Sequence, residues 1–106
     1  MSVFENFGLS HELMSVIKSL GFKKPTQIQD ESIPYVIKGQ DVIGESATGS
    51  GKTLAFGCGI VERVIKNQGL QGLILTPTRE LAEQVAKALA QFSKYKKLWH
   101  QRWTSL

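Results

Sequence analysis

The run Val42-Ile43-Gly44-Glu45-Ser46-Ala47-Thr48-Gly49-Ser50-Gly51-Lys52-Thr53 sets two glycines, a lysine and a threonine directly behind an apolar segment. A backbone turning through Gly49 and Gly51 can aim several N–H groups at one point. Lys52 adds a positive charge there, and Thr53 adds a hydroxyl for Mg2+. These are the parts of a phosphate cradle at a helix N-terminus. In such a loop the lysine spans the β- and γ-phosphates and the threonine reaches the metal ion. The reading requires a strand before the loop and a helix after it, so it predicts a nucleoside triphosphate site on an α/β fold.

The flanking sequence supplies those elements. Ser10 to Leu20 has helical spacing, with Leu13, Val16, Ile17 and Leu20 on one face, Ser10 as N-cap and Gly21 as stop. Phe22-Lys23-Lys24-Pro25 is a linker, extended before the proline. Thr26 and Gln29 have capping-box spacing and open a second helix. Pro34 predicts a kink or restart there, and the helix should end near Gly39. Asp41 to Glu45 reads as a short buried strand, and a helix should run from about Gly51 to Asn67. Gly72-Leu73-Ile74-Leu75-Thr76 reads as a second strand, apolar on both faces, which Pro77 ends. Arg79 to Phe92 should be a helix with Leu81, Val85, Ala88, Leu89 and Phe92 along one face. This order is a βαβ unit, which implies a parallel sheet with flanking helices. Two strands do not make a stable sheet of that kind, so the chain reads as the opening portion of a larger domain. Gly57 and Gly59 each cost about 1 kcal/mol in a helix against alanine, which close packing on the sheet should offset.

Composition narrows the class. The 106 residues suit one small domain, and 42% hydrophobic content is enough for a core. The single cysteine, Cys58, excludes an internal disulfide and sits in an apolar run where a buried structural thiol is expected. No apolar run reaches the ~18 residues of a membrane span. The N-terminal residues lack the pattern of a signal peptide, so a soluble cytoplasmic protein is expected. The net charge of +4 is local: residues 93–106 carry Lys94, Lys96, Lys97 and Arg102 and no acid. The remainder balances, so bulk charge says little about a polyanionic partner. His11 in a helix first turn and His100, without a second ligand nearby, suggest no metal centre.

Three motifs then point the same way. Gly21-Phe22-Lys23-Lys24-Pro25-Thr26-Gln27-Ile28-Gln29 resembles, position for position, the Q motif of DEAD-box RNA helicases, and Phe4 matches the aromatic that belongs upstream of it. Pro77-Thr78-Arg79-Glu80-Leu81-Ala82 is similar to the family's motif Ia. With the phosphate loop these lie in the family's order over residues 4 to about 95. The resemblance implies a partial RecA-like P-loop NTPase domain that uses ATP and Mg2+ and contacts RNA. It implies that Gln29 reads the adenine edge, with one donor and one acceptor. Phe4 would stack on the base, and Phe22 and Pro25 would shape the pocket. Ser46, Ala47, Thr48, Gly49, Ser50, Gly51, Lys52 and Thr53 would hold the phosphates, with Lys52 and Thr53 as the catalytic pair and Thr53 on the metal. Pro77, Thr78 and Arg79 would meet the RNA backbone. Plainer structural readings stand beside these: Gln29 as capping-box partner, Phe4 as a hydrophobic staple beside Phe7, and Thr78 as N-cap. Ser46 departs from the family's usual alanine, and its hydroxyl needs a partner.

The resemblance divides the chain into a Q-motif segment at 1–30, part of a helicase ATP-binding domain at 31–98, and a tail at 99–106. The Asp-Glu-Ala-Asp box that gives the family its hydrolytic carboxylates is not spelled in the chain. Asp30-Glu31 lies upstream of the loop, and Glu62, Glu80 and Glu83 fall on expected helices. ATP and RNA binding without hydrolysis is therefore expected of these residues alone. The tail holds both tryptophans, Trp99 and Trp103, where the family continues with an apolar strand and a Gly-Gly turn. A frameshift or truncation is expected there; the alternative is a basic-aromatic tail that stacks on single-stranded RNA. The rival functions are a non-catalytic binding fragment or remnant, and a different P-loop ATPase, against which Phe4 and Gln29 argue.

Overall fold

The computed structural model describes residues 3–47, 51–65, 68–69 and 71–96. Four α-helices form it: α1 (His11–Ser19), α2 (Gln27–Ile37), α3 (Lys52–Arg63) and α4 (Arg79–Phe92), with 3-10 turns at Phe4–Phe7 and Lys94–Lys96. Local signals start three of the helices. The hydroxyls of Ser10 and Thr78 accept from the N–H groups of Leu13 and Leu81, at 3.2 and 3.1 Å. Thr26 and Gln29 complete the expected capping box, with the Thr26 N–H donating to Gln29 Oε1 at 2.9 Å. Gly21 and Gly39, both at positive φ, follow the ends of α1 and α2.

The helices differ from expectation in two places. α2 continues through Pro34 without a restart. A proline removes one N–H, and the capping box holds the helix from its other end. α3 stops at Arg63 rather than Asn67, because Val64 turns to extended backbone at φ −64°, ψ 131°. There Lys96 Nζ donates to the carbonyls of Glu62 and Val64 at 2.8 and 3.0 Å, which satisfies the helix end.

The expected parallel sheet is absent from the described residues. Residues 41–47 and 71–76 carry no regular structure, and no backbone hydrogen bond joins them. A ladder needs a second strand about 4.8 Å away, and neither segment has one. Most of their apolar side chains consequently stand in solvent: Ile43 is fully exposed, Leu73 71% and Leu75 84%, while Ile74 packs against the core. Burial instead comes from helix on helix. The core joins Phe4, Leu13, Ile17, Ile33, Leu54, Cys58, Val61, Val85, Leu89 and Phe92.

α2 and α3 run parallel. Gln29 Nε2 donates to the Gly51 carbonyl at the start of both helices, and Arg63 Nη2 donates to the Ile37 carbonyl at their ends. Residues 41–47 are the return path that a parallel pair requires. The α3 glycines face helices rather than a sheet. A Cβ at Gly59 would collide with the Val36 side chain and press on its carbonyl, and one at Gly57 would meet Leu89 Cδ2 at 2.7 Å. Close approach is their reason, with α2 and α4 as the partners.

Candidate nucleotide-binding site

The start of α3 differs from the other three helix starts. Its N-cap is Gly51 at φ 86°, ψ 23°, and no side chain caps it. The left-handed conformation favours glycine and turns the chain sharply into the helix. The first N–H groups of α3 are thus left without a side-chain acceptor, as a phosphate cradle needs. Lys52 is exposed and Thr53 half-buried, and neither side chain has a hydrogen bond or ion pair among the described residues. Ser46 is half-buried with no recorded partner for its hydroxyl, and Ala47 is exposed. Thr48, Gly49 and Ser50 lie outside the described residues, as do Trp99 and Trp103 of the tail.

Gln29 stands against this helix start. Its side chain is fully buried, and its amide is used at both ends. Oε1 accepts from the Thr26 N–H, and Nε2 donates to the Gly51 carbonyl at 3.1 Å. A Cβ on Gly51 would overlap that Nε2 and lie 3.4 Å from Thr26 Oγ1. Glycine is therefore required at 51 both by its φ and by the Gln29 contact. Thr26 belongs to the same cluster, and its capping role was the sequence signal that could have placed it there.

The aromatic residues serve the core. Phe4 is 2% exposed and meets Phe7 edge-on, with ring centroids 5.8 Å apart. Phe22 is half-buried and packs edge-on against Phe92 at 6.1 Å, and Pro25 beside it is half-buried. The capping-box and staple readings of Gln29 and Phe4 both hold in this arrangement. Pro77, Thr78 and Arg79 are exposed at the start of α4, where Thr78 is the N-cap and Arg79 makes no ion pair among the described residues. A cleft between the far ends of α2 and α3, lined by Val36, Gly59, Ile60, Arg63 and Gln71, contains none of these motif residues.

Other chemistry is limited. No group of three or more His, Cys, Asp or Glu side chains gathers among the described residues. No helix among them is long and apolar enough to cross a membrane. Cys58 is buried, its Sγ 3.6 Å from the Ala55 carbonyl, and burial pushes its thiol up to about 12. A thiol so held is not a nucleophile at neutral pH.

Comparison with known proteins agrees with the motifs. A family described as DEAD/DEAH box helicase matches residues 26–104. RNA helicase CrhR from Synechocystis sp. is 46% identical over 98 residues, which is 92% of this chain and 20% of that protein. The crystal structure of a DEAD box protein from the hyperthermophile Methanococcus jannaschii superposes with a TM-score of 0.83 at 38% identity, covering 88% of this chain and 26% of that one. Dbp5 from S. cerevisiae, bound to RNA and ADP BeF3, superposes with a TM-score of 0.82 at 32% identity, covering 90% and 25%. The chain thus spans about a fifth to a quarter of the length of these relatives.

Proposed function

This chain belongs to the DEAD/DEAH box helicase family, and we propose that it supplies the ATP-binding and first RNA-contacting part of an ATP-dependent RNA helicase. The observation that supports this best is the hydrogen bond from Gln29 Nε2 to the Gly51 carbonyl. It joins Gln29 to the glycine that opens α3, which supports reading the two motifs as parts of one site. In this reading Gln29 would read adenine once its buried side chain is uncovered, with Phe22 and Pro25 shaping the pocket. Phe4 would stack on the base only once its ring is uncovered. Ser46 to Thr53 cradle the phosphates. Thr53 fits a magnesium site because its hydroxyl has no partner among the described residues; the ion would neutralise phosphate charge there. Pro77, Thr78 and Arg79 take an RNA phosphate, the Thr78 cap and the contact sharing one helix start. Residues 1–30 are the Q-motif segment and 31–98 the partial ATP-binding domain. A reducing cytoplasm suits the one free thiol.

Hydrolysis is not assigned to these residues. The carboxylates of Asp30, Glu31, Glu62, Glu80 and Glu83 lie on helices, in α2, α3 and α4, and none follows a strand end as the attacking water requires. Lys52→Ala tests the site. Lys52 is exposed and unpaired, so the variant should melt as the parent does while its ATP affinity falls by about ten- to a hundredfold, measured by calorimetry. Unchanged affinity would sink the assignment.

A further inference from the structure

We propose that Glu62 is a positioning residue for the base-reading side of the nucleotide site. The proposal rests on the reading of Gln29 to Thr53 as that site. α1 has a capping serine, but its third position is Leu13 rather than Glu or Gln, so no capping box takes the Ser10 N–H. That N–H donates instead to Glu62 Oε1 at 2.9 Å, from 52 residues away. Glu62 lies in the last turn of α3, the helix that begins at Lys52. The same turn is held by Lys96 Nζ through the carbonyls of Glu62 and Val64.

These ties close a circuit. Ser10 is joined through Gly8 and Leu9 to the Phe4–Phe7 turn, which packs on α2. α2 carries Gln29, whose amide returns to Gly51 at the start of α3. The Glu62 carboxylate is the link between α1 and the far end of α3. Removing it leaves the Phe4–Phe7 turn and α1 held to α3 by the apolar core alone, with no polar tie to fix their position, while Lys52, Thr53 and the Gly51 contact keep their places. The effect should therefore fall on recognition of the base and spare recognition of the phosphates. Cys58, Tyr95 and Lys96 are the titratable groups that face Glu62, and among the described residues none of them donates to its carboxylate.

The test compares Mg-ADP with magnesium pyrophosphate as ligands of the full 106-residue chain. Glu62→Ala should weaken ADP about fivefold, the loss of one hydrogen bond to a charged acceptor. Pyrophosphate affinity should stay within about twofold. Glu62→Gln, whose amide oxygen still accepts from Ser10, should restore ADP binding. Glu62→Asp, with its carboxylate one methylene short, should behave like Glu62→Ala and serves if that variant does not fold. ADP affinity unchanged in Glu62→Ala and Glu62→Asp overturns the proposal. So does a parallel loss of both ligands with the melting transition, which marks a purely structural role. A parent chain that binds neither ligand overturns the nucleotide site itself, and the role of Glu62 with it.

Discussion

Gln29 uses its whole amide inside the protein. Its oxygen closes the α2 capping box and its nitrogen reaches Gly51. Gln29→Ala removes both bonds from a fully buried position; it leaves the Thr26 N–H unmatched and the Gly51 carbonyl with only its helical bond from the Ala55 N–H. The expected loss is about 1–3 kcal/mol of stability, read as a lower urea midpoint. A midpoint within error of the parent would show that neither bond matters. Lys52, a few residues along, differs in kind. It is exposed and makes no hydrogen bond or ion pair among the described residues, so its replacement should leave folding unchanged.

At the scale of elements, α3 is placed by its glycines. Gly59→Ala gains about 1 kcal/mol of helix propensity but forces α3 against the Val36 side chain and carbonyl. Overpacking of that kind costs about 1–3 kcal/mol, and here a backbone atom cannot move aside. Gly57→Ala meets only the tip of Leu89, a flexible neighbour. Gly59→Ala should therefore lower the thermal midpoint clearly, and Gly57→Ala little; the reverse order would disprove the packing argument. The four helices were legible in the sequence because their caps are local: Ser10, Thr26 and Thr78 each sit within three residues of the N–H they accept. The two expected strands are not formed among the described residues for the opposite reason. Val42-Ile43 and Leu73-Ile74-Leu75 have the composition of buried strands, but a strand exists only with a neighbour, and that neighbour is not local. The P-loop spelling gave the start of α3, and the capping-box spacing gave both Thr26 and Gln29. The Glu62–Ser10 tie, 52 residues long, left no local pattern to read.

For the whole molecule, stability should fall in alkali. Burial pushes Cys58 from 9.0 and Tyr95 from 10.0 up to about 12 each, and the Glu62 charge adds to both. The buried Tyr95 hydroxyl has no hydrogen-bond partner among the described residues; neighbouring Ser10 eases its cost without reaching bonding geometry. Both groups hold their protons more tightly folded than unfolded. Their stabilisation is fully present below pH 9 and is lost as pH rises through 9 to 12. Urea midpoints taken from pH 8 to 11 should fall, and less steeply between 9 and 10 in Cys58→Ala. A flat profile would contradict the burial of these groups. The chain meanwhile is as compact as a domain of its length, with a radius of gyration of 13.2 Å against about 13 Å for 100 residues. Its apolar segments at 41–47 and 71–76 nonetheless remain uncovered.

The parallel pairing of α2 and α3 has an electrical side. Each helix gathers roughly half a positive charge at its first turn, and Gln29 and Gly51 bring the two first turns together. Like poles laid side by side repel. Only a hydrogen bond and packing oppose that repulsion, until an anion between the poles turns it into attraction. A polyphosphate bound there would hold the pair more tightly. Low-millimolar tripolyphosphate should raise the thermal midpoint, a gain that vanishes if the two helix starts do not share one field.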